Sequence, residues 1–270
     1  MTASRYSDVL RRIESALESA GAVFARFTPG AIATEYKAGH DPVTEADRAV
    51  DRVLRENLLR DGEGWLSEES ADDMSRLNKS HVWVVDPLDG TREFVAGISE
   101  FCVSIGFVEE GCPVAGGIYN PATKESILGA IDSGVLYNGH SVRASQRTSL
   151  QGALILASRS EVKRGEWQRF QSAEYQVRPT GSVAYKLGLV AAGKADATFT
   201  LTPKNEWDVA AGCALVKSAG GFIATLDNRP LRCNKRNPLL SGLVASGAQL
   251  QESLLHALEG WLPLDATRSR

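Results

Sequence analysis

Two carboxylates that follow an apolar run have the clearest chemical potential in this chain. Residues 82–85 are Val-Trp-Val-Val, and Asp86 and Asp89 come next in a turn, with Gly90 and Thr91 directly after. Hard divalent cations bind several oxygen ligands, and carboxylates at a strand end supply them from a rigid base. Because Pro-x-Asp-Gly is also ordinary turn chemistry, this segment alone leaves a metal site and a simple turn both open.

Three more acidic positions occur in similar settings. Asp47 and Asp208 lie near the starts of predicted helices, and Glu68-Glu69 follows a short apolar segment. Each has a structural alternative: Asp47 as first-turn helix chemistry, Asp208 as a helix N-cap, and the glutamates as a solvated loop. Carboxylates that converge in one pocket repel one another until divalent cations neutralise them. Since Mg²⁺ often shares substrate phosphate oxygens, a cluster beside the hydroxyl of Thr91 indicates metal-assisted phosphoester chemistry.

The apolar patterns around these residues predict alternating helices and strands. The predicted helices cover residues 4–26, 44–59, 182–192, 207–219 and 250–258. The predicted strands cover residues 82–86, 101–108, 113–119, 153–157, 195–199, 222–226 and 242–245. Hairpin turns are expected at 109–111 and 138–139. This mixture indicates a layered α/β or α+β fold, a single unit over 1–270 with subdomains at 1–140 and 141–270.

Composition restricts the classes of partner and compartment. The chain has 30 basic and 33 acidic residues among 270, which argues against broad nucleic-acid binding. The four cysteines form no C-x-x-C pair, so a structural zinc site is disfavoured and a reducing cytoplasm is favoured. No segment reaches the roughly 18 apolar residues of a membrane span, and the N-terminus has no apolar signal core. We therefore expect a cytoplasmic protein without a transmembrane segment.

Four motifs together resemble the inositol monophosphatase superfamily. They are D-P-V-T-E-A-D at 41–47, L-S-E-E at 66–69, W-V-V-D-P-L-D-G-T-R-E-F at 83–94, and E-W-D-V-A-A-G at 206–212 with A-G-G at 219–221. They occur in the family's order and with suitable spacing. The resemblance implies a layered α-β-α-β-α sandwich of the sugar-phosphatase type and Mg²⁺-dependent hydrolysis of a small phosphorylated substrate. It also implies inhibition by Li⁺ and a monomer or homodimer.

The substrate is predicted from finer features of the same motifs. D-G-T-R-E-F at 89–94 is similar to the 3'(2'),5'-bisphosphate nucleotidases of the CysQ type, and residues 200–202 lack the carboxylate with which inositol phosphatases bind inositol. These features favour hydrolysis of 3'-phosphoadenosine 5'-phosphate to AMP and phosphate. Residues 103–106 look more like an inositol phosphatase strand. The alternative substrate is therefore inositol-1-phosphate or a sugar phosphate, and a catalytically silent binding protein is a third possibility that the filled motifs disfavour.

The resemblance also implies a role for each matching residue. The groups expected to bind two or three Mg²⁺ ions are Glu68, Asp86, the Leu88 carbonyl, Asp89 and Asp208. Those expected to act on the attacking water are Asp47, Glu68 and Thr91, with Thr91 hydrogen-bonded to Asp47. The substrate-binding set is expected to comprise Glu68, Leu88, Asp89, Gly90, Thr91, Gly181, Ser182, Lys186 and Asp208.

Further residues near these motifs have less defined expectations. Lys186 is predicted to pair with a second phosphate of the substrate, with Arg92 as a second candidate, and its alternative is a solvated helix lysine. Glu93 and Glu206 are expected to support the metal ligands from behind. Trp207 is expected to serve packing rather than base stacking.

Overall fold

A computed structural model of the protein describes residues 4–36 and 42–259. Its α-helices are α1 (Ser7–Phe24), α2 (Glu45–Leu58), α3 (Thr91–Val95), α4 (Arg159–Lys163), α5 (Val183–Ala191), α6 (Glu206–Ser218) and α7 (Gln251–Leu258). The first nine strands are β1 (Thr34–Tyr36), β2 (Pro42–Thr44), β3 (Gly64–Ser67), β4 (His81–Asp89), β5 (Cys102–Glu109), β6 (Cys112–Asn120), β7 (Glu125–Ala130), β8 (Gly134–Tyr137) and β9 (His140–Val142). The remaining strands are β10 (Leu154–Ser158), β11 (Gln176–Thr180), β12 (Ala197–Thr200), β13 (Lys204–Asn205), β14 (Gly221–Thr225), β15 (Leu239–Leu240) and β16 (Leu243–Gly247).

Seven strands form the first large sheet, in the order β3-β4-β5-β6-β7-β8-β9. The β3–β4 pair is parallel and the other pairs are antiparallel. Strand β4 is buried on both faces, which explains why its sequence is apolar without alternation. Because β3 and β4 are parallel, their carboxyl ends lie side by side, and acidic side chains occur at both ends.

Small residues bring α6 directly onto this sheet. A Cβ atom at Gly106 would stand 2.7 Å from Cβ of Ala210, and one at Gly116 would stand 2.7 Å from the carbonyl oxygen of Ala211. Any larger side chain at either glycine would push the helix away. The close packing matters because α6 carries Asp208 towards the end of β4.

A five-stranded sheet, ordered β11-β10-β12-β16-β14, forms the second sheet layer. Helices α5 and α6 lie between the two sheets, because one hydrophobic cluster combines their side chains with Ile118 of the first sheet and Leu156 of the second. Helices α1 and α2 cover the outer face of the first sheet, and α7 covers that of the second. The layers are helix, sheet, helix, sheet and helix, so the predicted α-β-α-β-α sandwich is confirmed.

Most of the predicted elements exist within a few residues of their expected bounds. Helices α2, α5, α6 and α7 and strands β4, β5, β6 and β10 match their predictions, and the two expected hairpin turns join β5 to β6 and β8 to β9. The sequence patterns do not predict strands β3, β7, β8 and β11, since these strands are short or partly polar. The division into two subdomains stays a prediction, and Asp41, the first motif residue, lies outside the described residues.

Candidate metal centre and cleft

Three carboxylates from separate elements meet at the end of β4. Oxygen atoms of Glu68, Asp86 and Asp208 lie within 4.8 Å of one another. Glu68 directly follows β3, and its N–H donates to the Val85 carbonyl of β4 at 3.3 Å. Ser67, the last residue of β3, donates from its hydroxyl to a carboxylate of α2 at 2.5 Å and so fixes the loop that carries Glu68. The predicted convergence of these distant acidic residues is therefore present.

Asp86 is the most deeply buried member of this cluster. Its Oδ1 accepts the Leu88 N–H at 3.0 Å, whereas Oδ2 is buried and has no hydrogen-bond partner among the described residues. Burial raises the pKa of Asp86 well above its ordinary value, and the negative charges of Glu68, Asp89 and Asp208 raise it further. An orphaned, buried carboxylate oxygen costs free energy. A hard cation with oxygen ligands fits this donor set and would remove that cost.

Asp208 reaches the cluster from the first turn of α6. Helix α6 begins at Glu206 after the capping residue Asn205, whose N–H donates to Oδ2 of Asp208 at 2.9 Å. Asp208 is therefore the third helical residue, and its interpretation as the N-cap is wrong. Burial raises its pKa well above the ordinary value, with added effects from Asp89 and Glu68. One oxygen serves the helix start, and the carboxylate as a whole belongs to the acidic cluster.

Asp89 follows at the point where β4 leaves the sheet. The register between β4 and β5 shifts between Asp86 and Asp89, which turns the chain out of the ladder. Oδ2 of Asp89 accepts the Ser182 hydroxyl at 2.7 Å and the Ala184 N–H at 2.6 Å. Gly90 comes next with φ +97, and a Cβ atom there would stand 2.9 Å from the Glu100 carbonyl oxygen, so only glycine fits.

Thr91 and Asp47 form the predicted hydroxyl–carboxylate pair. Oγ1 of Thr91 lies 3.1 Å from Oδ1 of Asp47 and 3.0 Å from the Leu88 carbonyl oxygen. Oδ2 of Asp47 accepts both the N–H and the hydroxyl of Thr44, the residue that caps α2. Burial raises the pKa of Asp47, while hydrogen bonds from Thr44 and Thr91 oppose that shift. Asp47 therefore has both expected contacts: it stabilises the first turn of α2, and it pairs with Thr91.

The cluster opens into a polar cleft of about 180 Å³. Near the carboxylates its walls consist of residues that the sequence predicts, namely Glu68, Leu88, Asp89, Gly90, Thr91, Glu93, Gly181 and Ser182. Basic side chains line it as well, namely Arg92, Arg159, Lys186 and Lys204. A phosphorylated substrate whose phosphate lies beside the carboxylates would thus have basic side chains around the rest of the molecule.

Sequence reasoning missed Arg159 and Lys204 as cleft residues. Arg159 lies beside Glu100, with a 2.5 Å ion pair, and Lys204 donates to Oγ1 of Thr202 at 2.9 Å. The available signal was weak: Arg159 directly follows β10, and side chains at strand ends of α/β folds frequently face ligands. Lys204 has no comparable signal; besides its local bond to Thr202, its ammonium lies 3.8 Å from a carboxylate oxygen of Glu161, a contact that only the fold creates.

Lys186, Glu206 and Trp207 have places that differ in part from their expectations. The side chain of Lys186 is 3% exposed, so its interpretation as a solvated helix lysine is wrong. Glu206 is fully buried and accepts the N–H groups of Asn234 and Lys235 at 2.6 and 3.1 Å, which ties a distant loop to the start of α6. Trp207 packs against an apolar cluster, as predicted.

Glu93 faces the backbone of the turn before α5. A Cβ atom at Gly181 would stand 2.5 Å from Cγ of Glu93, so the glycine allows this close approach. Burial raises the pKa of Glu93, and the negative charge of Asp89 adds to the shift.

Within the part of the chain that the structure describes, no helix is long and apolar enough to cross a membrane.

Known proteins resemble this chain in sequence and in fold. The model of the inositol monophosphatase family matches residues 6–261. The inositol-1-monophosphatase of Mesorhizobium japonicum is 34% identical over 83% of this chain and 85% of its own length. The fructose-1,6-bisphosphatase/inositol-1-monophosphatase of Thermotoga maritima is 30% identical over 78% of this chain and 82% of its own length.

Solved structures agree with these relatives. The extragenic suppressor protein suhB of Bartonella henselae superposes with a TM-score of 0.79 at 30% identity, over 94% of this chain and 100% of its own. CysQ of Bacteroides thetaiotaomicron is more distant, with a TM-score of 0.73 at 25% identity, over 90% of this chain and 98% of its own. The predicted superfamily is confirmed. Among the related proteins, names of inositol monophosphatases are more frequent than names of the predicted nucleotidase type. The chain belongs to the inositol monophosphatase family.

Proposed function

We propose that this protein is a Mg²⁺-dependent phosphomonoesterase whose substrate is inositol-1-phosphate or a related sugar phosphate. The observation that carries the proposal is the orphaned Oδ2 of Asp86, inside a carboxylate cluster whose cleft also contains Thr91. The names of the relatives support an inositol or sugar phosphate. This choice reverses the order of preference that residues 89–94 and 200–202 suggest in the sequence.

The residues of the cluster fit a divalent metal by charge and by donor type. The groups that would hold Mg²⁺, as two or three ions, are Glu68, Asp86, the Leu88 carbonyl, Asp89 and Asp208. Bound there, Mg²⁺ would lower the pKa of a water molecule and screen the phosphate charge. The carboxylates contribute their fixed positions, because Asp86 and Asp89 lie on β4, Glu68 directly follows β3 and Asp208 lies in the first turn of α6.

Thr91 and Asp47 would take the proton from the attacking water. Thr91 can donate its single hydroxyl hydrogen to Oδ1 of Asp47 or to the Leu88 carbonyl, and when it donates to Asp47 its oxygen can accept a hydrogen bond from a water molecule on the cleft side. This relay orients the water and draws its proton towards a buried carboxylate. The backbone N–H groups of Gly90 and Thr91 would bind phosphate oxygens, since the glycine lets the chain approach closely. Attack of the water oxygen on phosphorus would break the ester P–O bond and release inorganic phosphate without a phosphoenzyme, and the departing alcohol oxygen would take its proton from a second water molecule.

A second candidate substrate, 3'-phosphoadenosine 5'-phosphate, is favoured by the basic residues of the cleft. Arg159 and Lys204 would face the part of the substrate that lies beyond the reacting phosphate. Charge-assisted hydrogen bonds from such cations suit a second phosphate better than an uncharged inositol ring. The Thermotoga maritima relative, whose name includes fructose-1,6-bisphosphatase, makes a sugar bisphosphate a natural third substrate for the same test.

Phosphate release measured on these substrates under identical Mg²⁺ tests the proposal. We expect hydrolysis that stops in EDTA, with the highest kcat/KM for inositol-1-phosphate or the sugar phosphate. Asp86→Asn is the matched control, because it keeps the shape of the side chain and removes the central charge. A higher kcat/KM for the adenosine bisphosphate would favour the second candidate. Full activity without metal, or in Asp86→Asn, would refute the proposed chemistry.

A further inference from the structure

Lys186 is a buried ammonium that bonds to backbone carbonyls of the turn before its own helix. Nζ donates to the Ser182 carbonyl at 2.9 Å and to the Thr180 carbonyl at 3.3 Å, and only 3% of the residue is exposed. These two carbonyls lie on either side of Gly181. A buried charge is tolerated where hydrogen bonds satisfy it. The ammonium therefore clamps the turn from both sides of the glycine.

The clamped residue, Ser182, has a backbone conformation that side chains rarely adopt. Its φ is 55° and its ψ is 126°, in a region that non-glycine residues disfavour. Such a conformation persists only where surrounding contacts hold it. Lys186 supplies one of these contacts at the Ser182 carbonyl. Glu100 supplies another, because its Oε2 accepts the Gly181 N–H at 2.7 Å.

The strained turn directs two donors to one candidate metal ligand. The Ser182 hydroxyl and the Ala184 N–H donate to the same oxygen, Oδ2 of Asp89, at 2.7 and 2.6 Å. Two such bonds fix the rotamer of Asp89. Asp89, as a metal ligand, would then be a carboxylate whose orientation is set in advance.

We infer that Lys186 is a positioning residue of the metal centre, acting on Asp89 through the backbone and hydroxyl of Ser182. The inference rests on the proposed function, because it requires Asp89 to bind the metal. It assigns Lys186 to the metal side of the cleft instead of the predicted pairing with a second phosphate.

The charge of Lys186 alone would have the opposite effect on metal affinity. A cation in the same cleft as Asp89 repels Mg²⁺, so removal of the charge by itself would tighten metal binding. Loss of the clamp would weaken metal binding, because Asp89 would lose its fixed orientation. The sign of the change in metal affinity therefore separates positioning from simple electrostatics.

Binding of Mn²⁺ to the substrate-free protein, followed by electron paramagnetic resonance of the free ion, tests the inference. Lys186→Met should raise the Kd for Mn²⁺ severalfold, less than the roughly 10- to 100-fold typical of losing a direct hydrogen-bond partner of a metal ligand, because Lys186 acts on Asp89 through Ser182. Lys163→Met, on the exposed end of α4 and outside the cleft, is the control, and its Kd should stay within about twofold of wild type. In turnover, Lys186→Met should raise the Mg²⁺ requirement equally for mono- and bisphosphate substrates.

Several outcomes would overturn the inference. An unchanged or lower Kd for Mn²⁺ in a folded Lys186→Met protein would do so. A rise in KM confined to bisphosphate substrates, with normal Mn²⁺ binding, would return Lys186 to substrate binding. If the Met variant does not fold, Lys186→Gln can replace it in the same measurement, because glutamine retains an N–H donor. The Gln variant should weaken Mn²⁺ binding by a smaller factor than the Met variant. An unchanged Kd in the Gln variant would also refute the inference. Absence of Mn²⁺ binding by wild type would instead refute the proposed function itself.

Discussion

Asp47 divides its two carboxylate oxygens between the start of a helix and the hydroxyl of Thr91. Oδ2 accepts the N–H and hydroxyl of Thr44 at the beginning of α2, and Oδ1 accepts the hydroxyl of Thr91 at 3.1 Å. The capping bonds hold the carboxylate still, so its other oxygen is placed for Thr91 by the fold. A carboxylate that would usually be interpreted as part of a helix cap can thus also orient Thr91, a proposed catalytic residue 44 positions further along the chain.

Replacement of Thr91 by valine should abolish most of the turnover while metal binding persists. Valine has nearly the shape of threonine but no hydroxyl, so the proton path from water to Asp47 is cut. We expect kcat to fall by about 100-fold or more, the usual contribution of positioned proton transfer. Thr91→Ser, which keeps the hydroxyl, should retain most of the activity. Wild-type kcat in the valine variant, measured by phosphate release under saturating Mg²⁺, would exclude the relay.

Parts of the site that lie in one continuous motif could be predicted from the sequence. Asp86, Asp89 and Thr91 are close in the chain, and their strand-and-turn setting indicates where they lie. The four separate acidic positions are also expected to meet, because acidic groups recur at turns and element ends and because the family resemblance implies a shared site. Arg159 and Lys204 were not predicted, because Arg159 pairs with Glu100 and Lys204 lies beside Glu161, and both contacts join residues that are distant in the chain. No periodicity in the sequence reports such contacts.

Addition of Mg²⁺ should raise the melting temperature of the wild-type protein. Burial, and then repulsion by the neighbouring carboxylates, raises the pKa of Asp86, so metal binding relieves a cost that exists only in the folded state. Asp86→Asn should melt at a higher temperature than wild type in EDTA, since one buried charge is gone. The same variant should gain less from Mg²⁺. Scanning fluorimetry of both proteins with and without Mg²⁺ measures this, and equal gains would contradict a metal site at Asp86.

Replacement of Lys204 should affect substrates with two phosphates more than substrates with one. Lys204 lies in the cleft and donates to Thr202, so its ammonium would face a distal anionic group. Lys204→Met should raise KM for fructose-1,6-bisphosphate or the adenosine bisphosphate by about tenfold, the value of one charged hydrogen bond. KM for inositol-1-phosphate should change little. Lys163→Met, on the exposed end of α4, is the control; equal changes in KM for all substrates would argue against a distal anion site.

Glu161 should contribute to stability in a way that depends on pH. Burial of Glu161 favours the neutral form, but hydrogen bonds from Thr200, Thr202 and Trp167 to the carboxylate outweigh it, so the pKa falls below its ordinary value of 4.5. Because the unfolded chain then binds more protons, the contribution is complete above pH 4.5 and is lost as the pH falls through the folded pKa.

Glu161→Gln should therefore lower the free energy of unfolding at neutral pH by about 1–3 kcal/mol, the cost of disrupting buried hydrogen bonds. The difference from wild type should shrink as the pH is lowered from about 7 to about 3.5, because wild-type Glu161 also becomes neutral. Glu166→Gln, at a more exposed pair with Arg164, is the matched control. Urea unfolding at each pH gives both free energies. A gap between Glu161→Gln and wild type that stays constant across this range would mean that the Glu161 charge does not stabilise the fold.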